Sequence, residues 1–443
     1  MFSNKDLRKL IIPLVIEQLL AVTIGMADTV MVSSCGEAAV SGISLVDSIN
    51  FLLITLFSSL ATGGAVIASQ YIGRGDHKSA SLAAKQLFYA SLALSAVLGI
   101  IAVFFRKPVL NMVFGSIEAD VMAHAQIYFL LSAISYPFLA VYNAGAALFR
   151  SMGDSRTTML ISILMNTINI VGNAILIYGF QMAAAGAATA SLVSRAVGAI
   201  IITVLLLNPH RIIFYDKLHK PEIHLSMLKS ILQIGVPNGL ENSIFQIGKI
   251  LVASIVSGFG TISITANAVA GNLASLQGIP GMALGMAMIT VVGQCIGAKD
   301  YEAVKKYTKK LMLITYGVVW AMTLLMLLFS KQILSFYSLS EETTTMTMEV
   351  FIVHGICAVI VWPLAFALPN ALRAANDVRF TMIVSLLSMW IFRIGFSYIL
   401  AIYFNMGILG TWIAMCIDWF CRGACFVIRF ARGKWKNISF IDN

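Results

Sequence analysis

Read for apolar and polar positions alone, the chain is a succession of long apolar runs parted by short polar stretches. Twelve runs fall near residues 8–34, 44–70, 80–105, 121–148, 157–180, 183–207, 226–257, 263–296, 307–330, 347–371, 380–404 and 408–430. Each holds about twenty residues or more, enough for a helix to cross the roughly 30 Å hydrocarbon core of a bilayer. A membrane barrel would instead alternate polar and apolar positions over segments of about ten residues, which this sequence does not do. The pattern predicts an all-α integral membrane protein of twelve transmembrane helices. Pro13, Pro137, Pro237, Pro280, Pro363 and Pro369 fall inside these runs, where a missing amide hydrogen permits a bend.

The second half of the chain repeats the first. IIPLVIEQLL and QIGVPNGLEN align Pro13 with Pro237 and Glu17 with Glu241, each pair 224 positions apart. At the same shift Gln70, Gly73 and Asp76 fall on Gln294, Gly297 and Asp300. RSMGDSR (150–156) returns as RAANDVR (373–379) after a slip of one residue. Six helices duplicated make twelve, in two pseudo-symmetric six-helix lobes, 1–207 and 225–443. The basic, proline-bearing stretch 208–224 reads as the cytoplasmic linker between them. Six is an even number, so the two lobes share one orientation about an axis along the membrane normal, the geometry of alternating access around a central cleft.

Composition agrees with the pattern: 59% of residues are hydrophobic and only 11% charged. The net charge of +10 could suggest nucleic acid as a partner. Its distribution excludes that reading, because basic residues crowd alternate loops, as in Lys5, Arg8 and Lys9, then Arg74 and Lys78, then Arg211, Lys217, Lys220 and Lys229. The opposite set of loops has only Arg106, Lys107 and Lys331. The positive-inside rule then places both termini in the cytoplasm of a multi-pass cell (inner) membrane protein. The start MFSNKDLRKLII lacks a secretory cleavage pattern, so the first helix is expected to stay as an anchor. The six cysteines lack metal-type pairing and read as small packing residues. No nucleotide-binding loop, serine elbow or zinc-protease helix is present, which argues against ATP-driven transport and against an enzyme and leaves an ion gradient as the energy source.

Several motifs resemble those of the multidrug and toxic compound extrusion (MATE) transporters: MADTVMVS in the first span, QYIGRGD with its repeat QCIGAKD, LFRSMGDSR with its repeat LRAANDVR, and NINIVGNAILIYG in the fifth span. The resemblance covers nearly the whole chain. It implies a cation site in the N-terminal lobe, built here from Asp28, from Asn169 and Asn173, and from Ser191, with Na⁺ as a possible occupant. Many members of the family carry a second Asp where this chain has Asn173 and Thr where it has Ser191, so both H⁺ and Na⁺ stay open as the coupling ion. Counting along the helices places Asp28 roughly 30 Å from Arg8 and Asn173 roughly 26 Å from Arg156, a common level in the outer half of the lobe.

Buried charge is the other candidate chemistry. A carboxylate in hydrocarbon costs at least ~2.5 kcal/mol, so Asp28 is expected to face a cavity or to load and release a cation. Glu17, three turns earlier on the same face, is a second N-lobe coupling candidate, and Arg195 either pairs with it or closes the cytoplasmic side of the lobe. In the C-terminal lobe Glu241, Arg393 and Asp418 count to one level near mid-membrane, where Arg393 would pair with Asp418 or Glu241, or Asp418 with Arg422 one turn on. His124 and His354 read as interfacial hydrogen-bonders. The reading is a monomeric antiporter without cofactor, exporting small organic, often cationic, compounds. A lipid-linked precursor flippase of the wider superfamily is the nearest alternative, and a membrane-embedded enzyme a more distant one.

Overall fold

The computed structural model describes residues 2–115, 118–216, 218–337 and 339–440. Lys217 of the expected linker lies outside them. Among the described residues twelve helical spans are long and apolar enough to cross a membrane: α1 Asn4–Ser33, α2 Glu37–Arg74, α3 His77–Phe114, α4 Ala119–Ser151, α5 Ser155–Gly179, α6 Ala183–Leu206, α7 Leu225–Ser257, α8 Thr261–Gly297, α9 Tyr301–Leu328, α10 Glu341–Ala374, α11 Val378–Tyr403 and α12 Gly407–Ala431. Each coincides with one predicted run. Most extend beyond it, because hydropathy marks only the part of a helix that lipid touches, whereas hydrogen bonding carries the helix on into polar sequence. The largest extension is α3, which continues past the run's end at 105 to Phe114. It bends at Phe105 (φ −107°, ψ 18°), three residues before Pro108, a proline absent from the predicted set.

The repeated motifs turn out to be helix turns and caps. Asp76 accepts the Ser79 amide at 3.0 Å to start α3, Asp300 accepts the Ala303 amide at 2.9 Å to start α9, and Asp154 accepts the Thr157 amide at 3.2 Å to start α5. The turns before them need a left-handed residue, and Gly75 (φ 80°) and Gly153 (φ 82°) supply it at no steric cost. In the second copy Lys299 (φ 56°) and Asn376 (φ 67°) hold the same conformation. The fourth acid of the set, Asp377, makes no such cap; its carboxylate accepts Arg429 Nε at 2.7 Å and Nη2 at 3.0 Å.

Among the described residues four stretches widen into π turns: 174–179 in α5, 363–367 in α10, and 389–395 and 398–403 in α11. The first and last are copies of one another. Phe180 N bonds Ile175 O at 3.0 Å as Phe404 N bonds Ile399 O at 3.0 Å.

The chain divides into two compact units, Met1–Gly239 and Leu240–Asn443. In the first, Val46, Phe57, Leu110, Phe129 and Tyr136 form a buried core shared by α2, α3 and α4. Gly63 lies so close to another strand of backbone that an added Cβ would stand 2.5 Å from the Ile231 carbonyl oxygen. In the second, Val256, Ala270, Trp362, Trp412 and Trp419 share a core. His354 belongs to that core rather than to an interface: it is buried, stacks on Phe351, and meets Trp412 and Trp419 edge-on at 5.6 and 5.3 Å. Its position thirteen residues after Glu341 carries it well past the polar start of α10. His124 is half-buried.

Candidate functional site

Asn169 and Asn173 stand one turn apart on α5, so both amides leave the same face. α1 brings Asp28 to that face and α6 brings Ser191. Asn173 Nδ2 donates to Asp28 Oδ1 at 2.5 Å, and Asn169 Nδ2 donates to Ser191 Oγ at 3.0 Å. Asn173 Nδ2 also lies 3.5 Å from Asn169 Oδ1, which links the two halves into one polar chain. Both asparagines are buried, whereas Asp28 and Ser191 are half-buried. The Asn173 Oδ1 atom is buried without a hydrogen-bond partner, an arrangement that costs free energy unless something else uses the oxygen. One carboxylate, two amides and a hydroxyl form an all-oxygen donor set suited to a hard cation or a proton. Among the described residues no cluster of three or more His, Cys, Asp or Glu could hold a metal ion in another way.

Glu17 stands apart from this group, eleven residues before Asp28 on the same helix and about 16 Å along it. Its partner is not Arg195. Glu17 Oε1 accepts Arg150 Nη1 at 3.1 Å and Oε2 accepts Thr158 Oγ1 at 2.8 Å, while Arg195 Nη1 donates to Ser135 Oγ at 2.7 Å. Arg150 closes α4, where its side chain reaches the N-terminal half of α1. The second copy repeats the device: Arg373, near the end of α10, donates through Nη2 to Glu241 Oε1 at 2.7 Å.

This pairing alters the C-lobe network expected from depth alone. Glu241 goes to Arg373, and Asp418 faces Arg422 at 3.8 Å while accepting a hydrogen bond from Ser388 Oγ. Arg393 makes neither expected ion pair; its guanidinium lies over the ring of Phe245, 5.6 Å from the centroid. Equal depth places groups on a level, but helix rotation decides which of them face one another.

An acid that the sequence reading passed over lies in the first unit. Asp47 Oδ1 accepts Tyr128 Oη at 3.0 Å and Asn50 Nδ2 at 3.3 Å, and Asn50 Oδ1 accepts Tyr136 Oη at 2.7 Å. The apolar run of α2 begins only at 44, so Asp47 reads as a residue at the water's edge. The available signal was Tyr128 and Tyr136, two turns apart on one face of α4.

The MatE family model matches residues 13–175 and 237–399, one match per copy of the repeat. The chain is similar to the uncharacterized transporter YisQ of Bacillus subtilis (28% identity over 96% of this chain and 93% of that protein). It is also similar to the probable multidrug resistance protein NorM of Thermotoga maritima (26%; 98% and 93%) and that of Bacillus cereus (29%; 95% and 93%). Its fold is shared with a MATE protein solved in the bent conformation (TM-score 0.88, 20% identity, covering 97% of this chain and 94% of that one). It is shared too with an outward-facing multidrug resistance MATE family transporter (TM-score 0.89, 21% identity, 98% and 97%). With both copies of the duplication matched across most of its length, the chain belongs to the MATE family of membrane transporters and is one of its bacterial-type members.

Proposed function

We propose that this protein is a secondary active antiporter that exports small organic, often cationic, compounds in exchange for H⁺ or Na⁺, with alternating access of two lobes, 1–207 and 225–443, joined by 208–224. The observation that carries the reading is the polar chain Asp28, Asn173, Asn169, Ser191 with its unpartnered Asn173 carbonyl. A carboxylate within a span is costly unless a cavity or a counter-ion meets it, and an arriving proton or Na⁺ is such a counter-ion. In the arrangement seen here the Asn173 amide donates to Asp28. Turned over, the same amide presents its oxygen to a cation held by that carboxylate, while Asn169 and Ser191 offer further oxygens. Loading shifts the balance between lobe orientations only to the extent that the cation binds them unequally, which a site assembled from three helices can achieve. The names of the similar NorM proteins support organic drugs as cargo. The protein acts in the cell (inner) membrane as a monomer with both termini cytoplasmic, and uses no cofactor.

Reconstitution into proteoliposomes, with pH and Na⁺ gradients imposed separately, tests this directly. One of the two gradients is expected to drive efflux of a fluorescent organic cation. Asp28→Asn is expected to reach the membrane folded and to lose gradient-driven efflux. Efflux by that variant at the parent rate would refute the coupling role.

A further inference from the structure

Around Phe245 the second unit gathers positive charge that neither the polar chain nor the Glu–Arg pairs use. Lys249 Nζ lies 5.4 Å from the centre of the Phe245 ring, Arg422 Cζ 5.4 Å and Arg393 Cζ 5.6 Å. Phe245 and Lys249 are one turn apart on α7, Arg393 lies in the 389–395 π turn of α11, and Arg422 is on α12. Negative charge is scarce by comparison. α7 carries one acid, Glu241, α12 carries one, Asp418, and α11 carries none. Glu241 is taken by Arg373, and Asp418 faces Arg422. Two positive charges remain in excess.

The hydrogen-bonding capacity is also unspent. Arg393 Nε and Arg422 Nε and Nη2 are buried without a hydrogen-bond partner among the described residues. The face of Phe245 attracts each cation, which draws the three together but neutralises none of them. Like charges clustered in a poorly polar setting repel, and an ionised group within a span is expected to meet a cavity or a partner. Lys249 is exposed, so the cluster is open to an incoming group.

The duplication offers an internal comparison. The two MatE matches run 224 positions apart, and so do the π turns 174–179 and 398–403. In that register Arg393 stands where the first copy has Asn169, and Val252 where it has Asp28. Where the first copy sets an amide of its polar chain beside a carboxylate, the second sets a guanidinium and has no carboxylate at the position matching Asp28.

We infer that the second copy holds an anion site, in which Lys249, Arg393 and Arg422 receive the oxyanion of an organic ligand while Phe245 packs against its apolar body. Guanidinium groups take carboxylates and phosphates as planar forks, and the excess of two charges suits a mono- or dianion. Such a ligand has two sources: a soluble organic acid, or the headgroup of an anionic lipid. The inference is independent of which gradient, if any, drives transport.

Binding to the full-length protein in a neutral detergent tests it without any transport step. In one arm salicylate is titrated and followed by calorimetry. In the other, mixed micelles of phosphatidylglycerol or phosphatidylcholine are compared for lipid retained on the purified protein. Saturable binding in either arm, weakened about tenfold or more by Lys249→Gln and by Arg393→Gln, is the expected result. It should be unchanged by Lys305→Gln, which removes one positive charge from a surface pair with Glu302. Which arm responds identifies the source. Should Arg393→Gln fail to fold, Lys249→Gln at its exposed position decides alone. No binding in either arm by folded protein, or binding that the cluster variants leave unaltered, overturns the inference.

Discussion

Glu241→Ala removes the carboxylate that meets Arg373 at 2.7 Å and strands a guanidinium whose side chain is 12% exposed. Arginine cannot escape by losing its proton, so the cost does not titrate away in the accessible pH range. Removing one partner of a buried ion pair costs about 3–5 kcal/mol. The long stem of Arg373, one residue from the end of α10, allows its head some reach toward water, which sets the expectation near the lower end, about 3 kcal/mol. For a unit of this size each kcal/mol moves the midpoint by about 2–4 °C, giving a fall of roughly 6–12 °C. Tryptophan fluorescence during heating in detergent reads it out. All six tryptophans, from Trp320 to Trp435, lie in the second unit, so the signal reports the part of the chain that is perturbed. Glu241→Ala combined with Arg373→Ala removes the stranded charge and should recover part of the loss, with a coupling of about 2 kcal/mol or more. A midpoint for Glu241→Ala within 1–2 °C (roughly 0.5 kcal/mol) of the parent, or a double variant no more stable than the single one, would show that the pair does not hold α7 to α10.

Other expectations follow from local geometry. Asn173→Asp places a second carboxylate beside Asp28 and should tighten Na⁺ binding or move the pH optimum of efflux; an unchanged ion and pH response would separate Asn173 from the ion. Gly63→Ala drives a Cβ against the Ile231 carbonyl and the Gly235 amide, at 2.5 and 2.9 Å, where backbone on both sides cannot yield, so a loss of about 1–3 kcal/mol is expected in a thermal melt. Asp76 is held below the ordinary carboxylate value of 3.8 by hydrogen bonds from the Ser79 side chain and amide. Its stabilisation is therefore complete above that value and disappears as the pH falls through the lower folded value. Asp76→Ala should cost about 1 kcal/mol at pH 7 and progressively less toward pH 3, a difference visible in paired melts at the two pH values.

The twelve spans were legible in the sequence because lipid imposes a single requirement, a minimum length of apolar residues, that a linear pattern records. The Asp28 group was legible for a different reason: the one-turn spacing of Asn169 and Asn173 survives folding unchanged, and the family resemblance named their partners. Partner choice among the charges was not. Arg195 and Arg150 lie at plausible depths for Glu17, and only the rotation of α4 and α6 about their axes gives the pair to Arg150. Lys249 was invisible as part of a site, since a lysine eight residues from the end of a span is commonly one whose stem runs toward the interface. The motif acids Asp76, Asp154 and Asp300 were visible as a repeat, yet their capping role needed the turn geometry to be seen.

The matched π turns at 174–179 and 398–403 set the phase of everything beyond them. One residue more or fewer in an α-helix turns the following segment by about 100°. A single deletion inside 174–179 would leave Asn169 and Asn173 where they are and swing the C-terminal end of α5, with Tyr178, to a different neighbour. A deletion in 398–403 would do the same beyond Arg393 and Ser397. Chimaeras or consensus alignments that close either π turn as a one-residue gap would thus join a correctly aimed span to a misaimed entry into the next one, α6 or α12, so the alignment must count that residue as part of the helix rather than as an insertion.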